Sequence, residues 1–104
     1  MNFNIKITNE AKLEIEKTFN YLCRYFSKEL AIKNIKNLRE RIDSLKTNPY
    51  LGKDPSQINS IYNYRILITK YNIVFYKIIN NEIIVYHIFS QKEDYIEIML
   101  SIID

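Results

Sequence analysis

An α+β fold with the order β-α-α-β-β-β-α is predicted by three features of this 104-residue chain. Two stretches of the first half repeat apolar residues every three or four positions. The second half switches to an alternation of period two. Both prolines and the only glycine fall between these halves, within residues 48–61. The architecture expected is an N-terminal helical hairpin packed on one face of a small, mainly antiparallel four-stranded sheet, with a short C-terminal helix. Residues 1–104 read as a single domain, long enough to bury a core without covalent staples.

Each element has its own signal. Residues 3–7, Phe-Asn-Ile-Lys-Ile, alternate apolar and polar, as a half-buried strand does. Thr8 follows as a helix N-cap, with Glu10 in the first turn, where the helix dipole favours a carboxylate. Ala11, Ile15, Phe19, Leu22 and Phe26 then mark one helical face, and Ser27 breaks and re-caps the chain. A second stripe, Ala31, Ile35, Leu38, Ile42 and Leu45, ends at Asn48-Pro49. Residues 62–69, 73–79 and 83–89 are rich in Ile, Tyr, Phe and Val and read as a three-strand meander. Asn80-Asn81 tolerates the left-handed backbone of a two-residue hairpin turn. Ser90-Gln91-Lys92-Glu93 has the pattern of a capping box, opening a helix with Ile96, Met99, Leu100 and Ile103 on one side.

Two-residue turns at 70–71 and 80–81 predict a register that places Arg65 opposite Tyr76, Leu67 opposite Val74, Tyr76 opposite Val85 and Val74 opposite His87. One face then carries Tyr64, Ile66, Ile68, Ile73, Phe75, Ile79, Ile84, Tyr86 and Ile88, and is expected to receive the helices. The other is half polar, with Asn63, Arg65, Thr69, Asn72, Tyr76 and His87 among Leu67, Val74, Val85 and Phe89. That face is the expected place for a partner.

Composition narrows the chemistry. The net charge of +3 permits an anionic partner without demanding one. Residues 1–47 hold ten basic and six acidic side chains, so the positive charge sits on the helical hairpin. One cysteine and one histidine argue against a disulfide framework, a zinc site or any other metal site. No ligand cluster suggests a cofactor, and none is expected. A signal peptide and an 18-residue apolar run are both missing, so no membrane partner and a cytoplasmic location are expected.

Tyr64-Arg65, then Tyr71-Asn72-Ile73-Val74-Phe75-Tyr76, then Ile84-Val85-Tyr86-His87-Ile88-Phe89 leading to Lys92-Glu93-Asp94-Tyr95, follow in an order and spacing that resemble the RelE/ParE family of bacterial toxins. The opening Ile5-Lys6-Ile7-Thr8 and the stretch Asn48-Pro49-x-x-Gly52 fit as well, so the resemblance covers nearly the whole chain. It implies the toxin of a type II toxin–antitoxin system, associated with plasmid stabilisation and growth inhibition and neutralised by a cognate antitoxin. It also implies one of two targets. RelE-like members cut messenger RNA on the ribosome, and ParE-like members poison DNA gyrase.

RNA cleavage of this kind would make the protein a metal-independent endoribonuclease. It needs a base, an acid and cations around the scissile phosphate. The resemblance places Arg65, Lys92 and Tyr95 in such roles as catalytic candidates. It also expects basic residues where Leu67, Asn72 and Glu93 stand. Those departures favour the gyrase-directed branch, with RNA cleavage as the alternative and a non-toxic binding module on the same fold as a further one. The expected partner-binding surface comprises Arg65, Leu67, Val74, Tyr76, Val85, His87 and Phe89, suited to an antitoxin segment with apolar anchors and acidic flanks.

Overall fold

The computed structural model describes residues 2–53 and 64–91. Lys92, Tyr95, Asn63 and the residues expected to form a C-terminal helix lie outside the described residues. The elements are β1 (Asn4–Ile7), α1 (Asn9–Tyr25), α2 (Lys28–Asp43), a 3₁₀ turn at Ser44–Lys46, β2 (Arg65–Ile68), β3 (Asn72–Ile79) and β4 (Glu82–Ser90). The sheet order is β1-β4-β3-β2. β1 runs parallel to β4, and the other pairs are antiparallel. The α+β architecture expected from the periodicities is therefore present, with the helical hairpin on one side of a four-stranded sheet.

Both helices start where the sequence places their caps. The Thr8 hydroxyl accepts the Ala11 N–H at 3.1 Å, and the Ser27 hydroxyl accepts the Leu30 N–H at 3.0 Å. Ala11, Leu22, Ala31, Leu38, Ile42 and Leu45 are buried as their stripes require, but Phe26 is exposed. Thr18 and Asn34 occupy buried positions in phase with the same stripes.

Two corrections concern the sheet. First, the register holds at Arg65–Tyr76, Leu67–Val74 and Tyr76–Val85, and then shifts. Phe75 pairs with His87, so Tyr86 is an extra residue in β4, and Val74 faces Ile88 rather than His87. This is a β-bulge, which turns successive side chains to the same side. Second, the faces are the reverse of the expected ones. Leu67, Val74, Tyr76 and Val85 pack with Leu38, Ile42 and Leu45 under the hairpin. Ile66, Ile73, Phe75 and Phe89 form a separate cluster with Tyr64. The bulge moves His87 and Phe89 to that outer side and Ile88 to the inner one.

Polar residues reached the inner face because each is hydrogen-bonded there, which removes the penalty that otherwise keeps such groups in water. Asn72 has no exposed surface. Its amide nitrogen donates to the Thr18 hydroxyl at 3.2 Å, and its amide oxygen accepts from the Asn34 amide at 3.2 Å. Its backbone N–H donates to the Thr69 hydroxyl at 3.1 Å, within the turn between β2 and β3. One side chain thus joins α1, α2 and the sheet. Asn72→Ala should lower the unfolding free energy by about 1–3 kcal/mol, because it strands the Asn34 and Thr18 groups in the core. Urea denaturation of the purified variant checks this.

Candidate functional site

Arg65 and Tyr76 face each other across β2 and β3 and meet the segment that follows the 3₁₀ turn. The Tyr76 hydroxyl donates to the Pro49 carbonyl at 2.7 Å and accepts the Gly52 N–H at 2.9 Å. Arg65 donates through one guanidinium nitrogen to the carbonyls of Gly52, at 2.9 Å, and Tyr50, at 3.3 Å. Its guanidinium also lies 5.0 Å from the centre of the Tyr50 ring, within cation–π range. Lys53 and Ile66 exchange two backbone bonds and extend the contact as a short bridge. Only glycine fits at position 52. A Cβ there would come within 2.6 Å of the Tyr76 hydroxyl and 2.9 Å of the Ile66 carbonyl. Arg65 is therefore a structural tie for this segment, the bonding to a neighbouring loop that an arginine on a strand commonly makes.

His87 is held on the outer side near α1. Glu14 accepts the Ile88 N–H at 2.8 Å, and its other oxygen lies 3.4 Å from His87 Nδ1. β1 ends opposite Val85, so the rest of β4 forms a sheet edge there. Glu14 occupies part of that edge, where a neighbouring strand would supply a carbonyl, and the Thr8 hydroxyl donates to the Tyr86 carbonyl at 2.9 Å. The His87 ring stacks on Phe89 at 5.3 Å and 8°. No sequence signal marked Glu14 as functional, yet it lies three residues after Ala11, beside the buried stripe.

Further along the outer face, Tyr64 and Tyr86 meet edge to face at 5.4 Å. The Lys77 ammonium sits 4.6 Å from the Tyr64 ring centre and 5.7 Å from that of Tyr86. Burial, with a smaller contribution from the Tyr86 phenol, raises the Tyr64 pKa above its ordinary value.

The catalytic candidates do not assemble among the described residues. Arg65 is spent on two carbonyls, and Lys92 and Tyr95 lie outside the described residues. Leu67 and Asn72, which stand where the RNA-cleaving pattern expects cations, are 2% and 0% exposed. Of the expected partner-binding residues, Leu67, Val74, Tyr76 and Val85 are core side chains and offer no surface. Arg65, His87 and Phe89 are split between the two faces. Among the described residues there is no group of three or more potential metal ligands and no helix long and apolar enough to cross a membrane.

The surface that remains is on the hairpin. Leu13, Tyr21 and Tyr25 follow one another on the outward flank of α1 with Lys17 between them, and Phe26 extends the row. Tyr21 contacts the Tyr25 ring at 4.9 Å and the Phe26 ring at 6.3 Å. Lys28, Lys33, Lys36 and Arg39 are exposed on the neighbouring helix.

Comparison with known proteins settles the family. The family model described as the ParE toxin of type II toxin-antitoxin system, parDE, matches residues 5–95. The chain belongs to the ParE toxin family. It is the toxin of a type II system, and its partner is a cognate antitoxin; RelE-like RNA cleavage is not favoured. A solved structure described as the chromosomal ParDE TA system from P. aeruginosa matches with a TM-score of 0.71 and 18% identity, over 85% of this chain and 95% of that one. At that identity it speaks to the fold. No curated protein matches.

For this ParE-family chain, Tyr76→Phe should cost about 1–3 kcal/mol through the Gly52 N–H left without its acceptor, and Gly52→Ala should cost more, as the Ile66 carbonyl is backbone. Thermal melts of both variants test that order. Tyr64 makes a pH prediction. Its folded pKa lies above the unfolded value near 10, so its contribution to stability is complete below about pH 10 and fades as pH rises through the folded pKa. Absorbance titration should show a high-pH tyrosine step that Tyr64→Phe removes.

Proposed function

We propose that this ParE-family toxin arrests growth by binding DNA gyrase, and that it makes and breaks no bonds of its own. One observation carries the reading. The positions where an RNA-cleaving relative would present cations to a phosphate are enclosed under the hairpin, as Leu67 and Asn72. A leucine cannot offset the charge that builds on phosphorus, and an amide holding three elements together cannot leave to do so. Arg65 is less available, since one nitrogen of its fork serves two backbone carbonyls and its plane lies near the Tyr50 ring.

The cognate antitoxin, on this reading, lies along the outward flank of α1. Leu13, Tyr21, Tyr25 and Phe26 supply apolar anchors there, and Lys17, Arg24 and Lys28 supply positive charge. An amphipathic segment with acidic flanks fits that chemistry.

Induction of the toxin without its antitoxin should produce double-strand DNA breaks while transcripts stay intact. In vitro, the purified toxin should block supercoiling of relaxed plasmid by gyrase. Codon-positioned cuts in transcripts, with unbroken DNA, would overturn the gyrase reading in favour of RNA cleavage. Normal growth on induction would overturn both and leave a binding module. Lys92→Ala with Tyr95→Phe should retain full toxicity. Tyr21→Glu with Tyr25→Glu should weaken antitoxin binding by more than tenfold in calorimetry, since each aromatic anchor typically contributes on the order of 1–2 kcal/mol.

A further inference from the structure

The segment from Asn48 to Lys53 is tied to the end of the sheet almost residue by residue. The Tyr76 hydroxyl bonds the Pro49 carbonyl and the Gly52 N–H. Arg65 bonds the Tyr50 and Gly52 carbonyls, and Lys53 exchanges two backbone bonds with Ile66. Leu51 closes a turn by donating its N–H to the Asn48 carbonyl at 3.1 Å. All of these bonds engage backbone groups of the segment. They leave its two large apolar side chains outside, with Tyr50 66% and Leu51 39% exposed. The bridge to Ile66 runs antiparallel, so from Lys53 back to Leu51 the segment follows β2 in the direction of Ile68, itself 40% exposed. Isolated apolar side chains at a surface are ordinary. Here three stand along one sheet edge, and the backbone beneath two of them is fixed. The Arg65 guanidinium, 5.0 Å from the Tyr50 ring centre, also restrains that ring. Little conformational freedom is left to lose on binding.

We propose that Tyr50, Leu51 and Ile68 form the surface by which this toxin docks on gyrase, and that they fit an apolar pocket with an acidic rim on the enzyme. The proposal rests on the gyrase reading and gives it a place on the molecule. Charge selects an acidic partner. Residues 44–53 and 64–72 hold Lys46, Lys53, Arg65 and Lys70 and no Asp or Glu. The adjoining Asp54 leaves the balance positive. Arg41 brings its guanidinium to the Ile68 carbonyl, 3.2 Å away, and Asp43 is engaged by Lys46 at 3.7 Å. Lys53 and Lys70 are exposed. Leucine and isoleucine have nothing to offer a nucleic-acid phosphate, whereas a tyrosine with apolar neighbours inside a charged rim is the make-up of a protein hot spot. The surface is also apart from the flank assigned to the antitoxin. β2 is one edge of the sheet, while α1 bonds to the backbone of β4. The two surfaces therefore stand on different elements, and one can be altered without the other.

A supercoiling assay with purified gyrase, run beside calorimetry with the antitoxin, tests this on the full chain. A Tyr50→Ala, Leu51→Ala variant should need about tenfold more toxin for half inhibition. Its antitoxin affinity should stay within about twofold of the wild type, and its melting temperature within about 2 °C, as is usual for exposed side chains. Lys53→Glu with Lys70→Glu should weaken inhibition several-fold at low salt, and the difference should shrink as salt is raised. With Tyr50 replaced by a photo-crosslinking phenylalanine, irradiation should capture a gyrase subunit. Full inhibition by the double-alanine variant overturns the docking surface and leaves the gyrase reading standing. Absence of inhibition by the wild type overturns the gyrase reading, and the docking surface with it. Crosslinks from position 50 to plasmid DNA or to a second toxin molecule, in place of gyrase, overturn the surface as well. The crosslink decides the matter if the double-alanine variant melts early.

Discussion

The Asn72 side-chain amide sits where both helices meet the start of β3; it bonds Thr18, Asn34 and the Phe89 carbonyl, while the backbone N–H of the same residue donates to Thr69. A core built only of Leu38, Val74, Val85 and their neighbours would favour contact without fixing the angle or the slide of the hairpin on the sheet, since apolar burial is non-directional. The buried amide is directional. A shift of the hairpin by one turn would leave several polar groups without partners in a dry interior, at about 1–3 kcal/mol each. The hairpin is thereby set in one place, and its exposed flank with it.

A second constraint arises at the bulge. The extra residue Tyr86 turns β4, brings Ile88 into the core and frees a stretch of strand edge beyond the end of β1. Thr8 and Glu14, side chains from the start of α1, bond to backbone groups on that edge. Sheet edges invite pairing with other chains unless they are covered. Here the helix that follows β1 supplies the cover, so a parallel strand and its helix together close one side of the sheet.

These two constraints bear on function through which side chains remain outside. The ParE family assignment makes the chain a toxin with an antitoxin partner. Leu67 and Asn72 are enclosed between the hairpin and the sheet. The segment from Pro49 to Lys53 is pinned by Tyr76 and Arg65 across the end of the inner face. Among the described residues, the outward side of α1 carries the exposed rings of Tyr21, Tyr25 and Phe26 with Lys17 beside them.

The local sequence patterns determined the order of the described helices and strands, both helix caps, the two hairpin turns and the pairing of Arg65 with Tyr76, because each depends on residues close together in the chain. The ParE-like character was legible in the same way, from the order and spacing of short runs. Which face of the sheet meets the helices was not. Alternation assigns side chains to two sides without saying which is inside, and counting polar residues pointed to the wrong one. Asn72 and Tyr76 are polar and fully enclosed, since partners distant in sequence (Thr18, Asn34, Pro49 and Gly52) satisfy them. The bulge at Tyr86 was equally out of reach, because an inserted residue leaves the local pattern almost unchanged while reversing every side chain beyond it. Both decisions belong to the tertiary structure, where hydrogen bonds between remote segments determine whether a polar group is exposed or buried.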